Sequence, residues 1–358
     1  MDIYNNRISR LIKKSRELGK SFLLTNDKNI YYFTGLWDSN GYLFVGKNSA
    51  VLLVDFRYGE VAKKTVTSAK VIVFNKLFEE LNNLIKAEQT EELLLETNQI
   101  TVSLFKTFSD KLSCIVLDSE ELNIIVDAMR IVKDDAEREL LLKAQQITER
   151  ALDAVLPMLK PGVSERDIAN ELEHQIKIRG AQSVSFDLIT ITGKKTSLPH
   201  GVPSDDKIRQ GDFFTFDIGS TYNGYHSDMT RTYAVGEPDD EMIKVYNIVL
   251  TAHNLAMQAV KPGVKCSEID KIARDFIYSS GYEGYFGHAT GHGVGLDIHE
   301  NPAVSGRCDT VLEKGMVITI EPGIYLPEKF GVRIEDTVIV TEDGCESFAS
   351  LPKELTVL

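Results

Sequence analysis

Cysteine is scarce in this chain. Four occur in 358 residues, Cys114, Cys266, Cys308 and Cys345, with no CxxC pair and no histidine at zinc-finger spacing. That excludes a disulfide framework and a structural zinc finger, and the four read as buried thiols. Positive charge is also short: 40 Lys and Arg face 53 Asp and Glu, a formal net charge of -13 with a pI near 5.1. A field of that sign repels phosphate backbones, so no nucleic acid is expected as a partner. Nowhere do about 18 apolar residues follow one another, so no membrane span is expected. The N-terminal stretch MDIYNNRISRLIKKSREL lacks the apolar run of a signal peptide, which makes the reducing cytoplasm the expected compartment. What remains, 43% hydrophobic and 26% charged residues, excludes a disordered or collagen-like chain. At about 100 to 200 residues per domain, the length predicts two domains.

The first twenty residues have the period of an amphipathic helix, with Ile8, Leu11, Ile12 and Leu18 on one side and Gly19 placed to stop it. The period then changes. Segments 21–25 (SFLLT), 42–45 (YLFV) and 51–54 (VLLV) are short and apolar like strands, and GKNS at 46–49 reads as a hairpin turn. Helix-like and strand-like stretches alternate to about residue 125, so residues 1–130 are expected to form an α/β domain. The charged stretch VKDDAERE at 132–139 opens a long helix carrying Leu140, Ala144, Ile147, Ala151 and Val155 on one stripe, and residues 131–358 are assigned to a second, α+β domain.

This second part repeats itself. Pro161-Gly-Val is followed by Ile168 and Gly180, and Pro262-Gly-Val by Ile269 and Gly281, each pair offset by 101 residues. Farther on, GDFFTFDIG at 211–219 matches GMVITIEPG at 315–323, which sets Asp217 against Glu321. Asp228 in GYHSD and Glu335 in GVRIE each stand four residues after a glycine. Two copies of helix, helix, then strands are therefore expected to face each other. Four acids would then converge, and like unit charges about 4 Å apart repel by roughly 4 kcal/mol per pair at an effective dielectric near 20. Divalent metal is the economical compensation. Three of seven histidines fall in HATGHGVGLDIHE at 288–300, with His200 in LPHGVP, and imidazole beside carboxylate suits Mn, Co, Fe or Zn better than calcium. His174, His226 and His253 lie in polar or helical context and are left without a role.

At these residues the chain resembles the peptidase family of methionine aminopeptidase, aminopeptidase P and prolidase, which has the pita-bread fold with an internal pseudo-twofold repeat. The motifs are Asp217 and Asp228 at a spacing of eleven, His292 in GHGVG, Glu321 in EPGIY and Glu335 in RIEDT. Region 1–130, with NIYYFTGLWDSNGYLFV and LLVDFRY, is similar to the smaller N-terminal domain of aminopeptidase P, prolidase and creatinase. The resemblance implies two divalent ions, manganese first with Co, Zn or Fe as alternatives. Asp217 would bind one, His292 and Glu321 the other, and Asp228 and Glu335 would bridge them.

The reaction implied is metal-assisted peptide hydrolysis, which rests on a water made acidic by two cations. Glu321 is expected to shuttle that water's proton to the leaving nitrogen. His200 and His299 would hydrogen-bond the scissile group and the developing oxyanion, and His288 and Arg333 would hold the substrate beyond the scissile bond. The expected substrate is a short peptide with proline second, cut at the Xaa-Pro bond by an Xaa-Pro aminopeptidase. The alternatives are a prolidase cutting Xaa-Pro dipeptides and a non-catalytic binding protein of the same fold. A homodimer is expected, with the N-terminal domain helping to close a neighbour's cleft.

Overall fold

The computed structural model describes residues 3–358. The chain divides between Arg130 and Ile131 into two compact units.

The first unit runs α1 (Ile3–Leu18), β1 (Ser21–Leu24), α2 (Asp27–Thr34), β2 (Tyr42–Val45), β3 (Ala50–Val54), α3 (Gly59–Thr65), β4 (Lys70–Val73), α4 (Leu77–Ala87), β5 (Glu92–Leu95), α5 (Val102–Lys111), β6 (Ile115–Leu117) and α6 (Glu121–Arg130). Its six strands form one mixed sheet in the order β4-β3-β2-β1-β5-β6. The expected hairpin is there: Val45 pairs Ala50, and the Gly46 amide closes the turn on the Ser49 carbonyl at 2.9 Å. The helix expected over the first twenty residues is α1, of which Met1 and Asp2 lie outside the described residues. Ile8 and Leu11 are buried as expected, but Leu18 is exposed at the last turn, where Gly19 at φ +71 turns the chain toward β1. Arg7 and Ser15 complete the buried stripe, because Arg7 donates to the Tyr32 carbonyl and Ser15 to the Lys20 carbonyl.

The second unit opens with α7 (Asp135–Val155) and α8 (Glu165–Ile178), followed by β7 (Ser183–Val184), β8 (Ile189–Thr192), β9 (Asp212–Ile218), β10 (Ser220–Tyr222), β11 (Tyr225–His226) and β12 (Met229–Val235). It continues with α9 (Asp240–Ala259), α10 (Cys266–Ile277), β13 (Gly291–Gly293), β14 (Glu300–Val304), β15 (Val317–Ile320), β16 (Gly323–Leu326), β17 (Phe330–Arg333), β18 (Asp336–Val340) and β19 (Cys345–Ser347). Helix α7 starts at a capping box between Asp134 and Glu137, the charged stretch seen in the sequence. Its buried stripe takes Leu141 rather than Leu140, which is only half-buried; Ala144, Ile147, Ala151 and Val155 are buried as expected.

The repeat is visible in space. Helices α7 and α8 pack with the sheet β8-β9-β12, and α9 and α10 with β13-β15-β18; in each, the middle strand is antiparallel to both neighbours. Strand alternation divides β9 between two cores: Phe214 and Phe216 join Ile147, Leu152, Ile168 and Leu172, whereas Phe213 joins Val245, Val249 and Ile269. Among the described residues no helix is long and apolar enough to cross a membrane. The four cysteines are free, but only Cys266 is fully buried.

Between the halves lies a buried charge network. Arg231 donates to Asp336 at 2.8 Å and to the carbonyls of Thr230, Glu335, Leu351 and Pro352, and Lys353 adds a second ion pair to Asp336 at 2.7 Å. His253 is fully buried in the same half, and among the described residues neither ring nitrogen has a hydrogen-bond partner. Burial pushes its imidazole down to about 4, against the attraction of Asp336. An unfolded histidine titrates near 6.5, so between those values the unfolded chain binds the extra proton and stability falls as pH drops. His253→Leu is expected to remove about one proton's worth of that slope, up to about 3 kcal/mol by pH 4. Urea melts of both proteins from pH 7.5 to 4 measure it; parallel curves would contradict the assignment.

Candidate metal centre

The four acids of the repeat stand at matching places on matching strands. Asp217 is the penultimate residue of β9 and Glu321 immediately follows β15, while Asp228 immediately precedes β12 and Glu335 immediately precedes β18. The Glu335 amide donates to the Thr230 carbonyl at 3.1 Å, which sets the starts of β12 and β18 side by side. His292 comes from β13. A Cβ at Gly291 would run into the Thr319 carbonyl of β15, and one at Gly293 into the carbonyls of Glu300 and Asn301. Glycine on both sides of His292 therefore lets three backbones approach closely enough to bring its ring to the acids.

One ligand atom each from Asp228, His292 and Glu335 lies within 4.8 Å of the others. His292 Nε2 is 3.5 Å from both Asp228 Oδ2 and Glu321 Oε1. Its Nδ1 is 3.0 Å from the Gly293 carbonyl, an acceptor only, so Nδ1 carries the proton and a neutral ring turns a bare Nε2 lone pair toward two carboxylates. Burial pushes this imidazole down to about 4. The acids shift the other way. Burial and then the charges of Asp217 and Glu321 hold Asp228 well above the usual carboxylate range; burial and then Asp228, Glu321 and Asp217 do the same to Glu335. Glu321 is pushed up to about 8 by burial, with Asp217 adding to it and Arg333 opposing.

A lone pair and several carboxylate oxygens aimed at one another repel unless shared protons or a cation lie among them. Donors about 2.1 Å from one transition-metal ion sit roughly 3 to 3.5 Å apart, the spacing at His292. The donor set, imidazole nitrogen with carboxylate oxygens, suits a borderline divalent ion.

All nine residues singled out in the sequence line one cavity of about 680 Å³. His200 and His299 are exposed on its wall, and the His299 ring meets His292 edge-on at 4.3 Å. Two residues are also bonded within the wall. Arg333, expected as a cation for substrate, directs Nη2 to Asp217 at 2.6 Å, Nη1 to the Tyr325 hydroxyl at 2.8 Å and Nε to Thr230 at 3.1 Å. His288 donates from Nδ1 to the Ala289 carbonyl and accepts the Tyr325 hydroxyl at Nε2. Arg333, Tyr325 and His288 thus form a hydrogen-bonded chain in the wall, which engages both ring nitrogens of His288 and three of the five N–H donors of Arg333.

Sequence reasoning missed Tyr325, Thr230 and Thr319. Thr230 bonds Glu335 Oε2 at 2.8 Å, and Thr319 receives the His292 amide at 3.0 Å and donates to Glu321 at 3.4 Å. The signal was faint: Thr230 and Thr319 each lie two residues from a candidate acid, and Tyr325 four from Glu321.

Residues 139–342 match the model of metallopeptidase family M24, and residues 7–132 that of the creatinase/prolidase N-terminal domain. The chain belongs to metallopeptidase family M24. It is 39% identical to an Xaa-Pro dipeptidase of Pyrococcus furiosus over 98% of this chain and 99% of the relative. An Xaa-Pro dipeptidase structure from Bacillus anthracis superposes with a TM-score of 0.95 at 40% identity, covering 99% of this chain and all of the other. An X-Pro aminopeptidase from Thermotoga maritima superposes at 0.88 and 36%, covering 98% and 99%.

For this M24 chain, whose family uses divalent metal, the crowded acids make a thermodynamic prediction. Asp228→Asn removes a negative charge from a site that repels itself without metal. Its metal-free form is expected to melt no lower than the parent, while affinity for Mn2+ falls by about a hundredfold or more. Calorimetric titration and melts with and without chelator test both; undiminished Mn2+ affinity would overturn Asp228 as a donor.

Proposed function

We propose that the chain is a two-metal Xaa-Pro dipeptidase, cutting dipeptides whose second residue is proline. The observation that carries it is the convergence of Asp217, Asp228, His292, Glu321 and Glu335 in one cavity with apolar walls from Phe186, Leu188, Pro199, Val202 and Ala303. Proline's ring fixes φ and removes the amide N–H, so a site for it offers apolar surface where other peptidases offer an acceptor. The Xaa-Pro dipeptidase relatives favour this reading over the aminopeptidase expected first from the sequence.

Asp217 would hold one ion, His292 and Glu321 the other, and Asp228 and Glu335 both, with manganese the first choice and Co, Zn or Fe the alternatives. When bound, such ions supply Lewis acidity and lower the pKa of water toward neutrality. Glu321 then takes the proton from the attacking water and delivers it to the proline nitrogen as the Xaa-Pro bond breaks, so the carboxylate ends the cycle as it began. His200 and His299, exposed on the wall, donate to the scissile carbonyl oxygen as it gains charge; losing either is expected to cost about 10²-fold or more in kcat. Arg333 orients Asp217 through their 2.6 Å bond, and Tyr325 links it to His288, so this trio shapes the wall behind the substrate.

We assign the protein to a reducing, cytoplasmic compartment, in keeping with its four free cysteines. A homodimer is part of the proposal. Phe56 at 80% and Trp37 at 40% exposure in the first unit are large apolar side chains of the kind an interface covers. Light scattering should give twice the chain mass; a fully active monomer would contradict it.

The substrate assignment is tested with Xaa-Pro, Xaa-Pro-Yaa and Xaa-Ala-Yaa peptides assayed side by side with manganese or cobalt. The dipeptide is expected to be cleaved fastest. Faster cleavage of Xaa-Pro-Yaa would return the assignment to aminopeptidase, faster cleavage of the alanine peptide would remove proline specificity, and no cleavage at all would favour a binding protein.

A further inference from the structure

One wall of the cavity is a loop. Between the end of β8 and Ser204, residues 193–203 carry Pro199, His200, Gly201 and Val202 to the cavity and leave Leu198, His200 and Val202 exposed at the tip. Its two stems converge on one side chain. The carboxylate of Glu165, the first residue of α8, has no exposed surface. Its Oε1 accepts the Thr192 amide at 2.8 Å on the incoming stem. Its Oε2 accepts the Ser204 amide at 2.9 Å and the Ser204 hydroxyl at 3.0 Å on the outgoing stem, together with the Lys195 ammonium at 2.6 Å. Lys195 reaches across as well, to Ser204 Oγ at 2.6 Å and Asp206 at 3.0 Å.

This carboxylate is not needed to start its helix. Ser164 caps α8 and Asp167 closes the capping box, so the helix end is satisfied without Glu165. Every hydrogen bond named for the Glu165 carboxylate goes to one stem or the other. Glutamine has the same size but one acceptor oxygen, and its amide nitrogen would face an N–H or an ammonium that now has an acceptor.

We infer that Glu165 is a positioning residue: with Lys195 it clips together the two stems of the 193–203 loop and so fixes His200 over the cavity. This rests on the reading that His200 acts on the substrate. The clip works through a buried charge whose partners are Lys195 of the loop and the stem residues Thr192 and Ser204, so weakening it loosens the loop without touching the candidate metal donors.

The test is a double-mutant cycle on one Xaa-Pro dipeptide, using metal-loaded protein: parent, Glu165→Gln, His200→Ala and the pair, with metal content and melting temperature measured on each. Glu165→Gln is expected to lower kcat/KM about tenfold, mostly through a lower kcat, with metal content unchanged. In the His200→Ala background it should cost less than about twofold. An equal loss with and without His200, a loss of bound metal, or parent-like kinetics would overturn the inference. Should Glu165→Gln fail to fold, Lys195→Met, which leaves the Thr192 and Ser204 bonds to Glu165 in place, carries the same cycle with the same outcomes. A silent His200→Ala would remove the role of His200 and this inference with it, whereas a damaging His200→Ala beside a silent Glu165→Gln would remove only the clip.

Discussion

Mutual repulsion among buried carboxylates is the constraint around which the second unit is built. Asp228 and Glu335 are almost wholly buried, and Asp217 and Glu321 lie in the same cavity. In water such a group of acids would disperse. Here two sheets hold them in register, and the cost is met partly by the protein itself: Arg333 pairs with Asp217, Thr230 donates to Glu335 and Thr319 to Glu321. Those contacts leave more negative charge than positive, and burial first, with the neighbouring acids adding to it, holds Asp228, Glu321 and Glu335 above the usual carboxylate range. A divalent cation removes that excess, which ties metal binding to the stability of this part of the fold.

The repeat explains how so strained a cluster is assembled reliably. Each half supplies one acid at the end of a central strand and one at the start of its neighbour, and each half has its own apolar core of two helices against a sheet. Hydrophobic burial in the two cores thereby sets positions that electrostatics alone would oppose. Arg231 ties the halves at the level of the acids, taking carbonyls from Thr230, Glu335, Leu351 and Pro352 and the carboxylate of Asp336. Its partner Asp336 is held down to about 2; burial opposes this, and the charges of Arg231, His253 and Lys353 overcome it. The same region thus contains acids raised by burial and like charge and one lowered by opposite charge, a few residues apart.

Around this centre the histidines that line the cavity differ in how they are held. His299 and His200 stand exposed on connecting segments, while His288 is locked by hydrogen bonds at both ring nitrogens. Groups carried on loops need their stems fixed by something outside the loop. The stems of the segment bearing His200 hydrogen-bond Glu165 in the first turn of α8, and next to His299 the side chain of Glu300 pairs with buried Lys133 at 2.6 Å.

The sequence by itself determined several elements and the set of candidate donors. Period-3.6 and period-2 patterns marked α1, the β2–β3 hairpin and α7, and the repeat matched Asp217 with Glu321 and Asp228 with Glu335, because local propensity and strand alternation are written into neighbouring residues. It could not choose between Leu140 and Leu141 for the buried stripe of α7, nor see that Leu18 would be left exposed, since those depend on what packs against the helix. The roles of Arg333, Tyr325, Thr230 and Glu165 were decided only by tertiary structure. Each acts on a group far away in the chain, Arg333 on Asp217 and Glu165 on Ser204, and a hydrogen bond depends on distance and direction in space, which spacing along the chain does not carry.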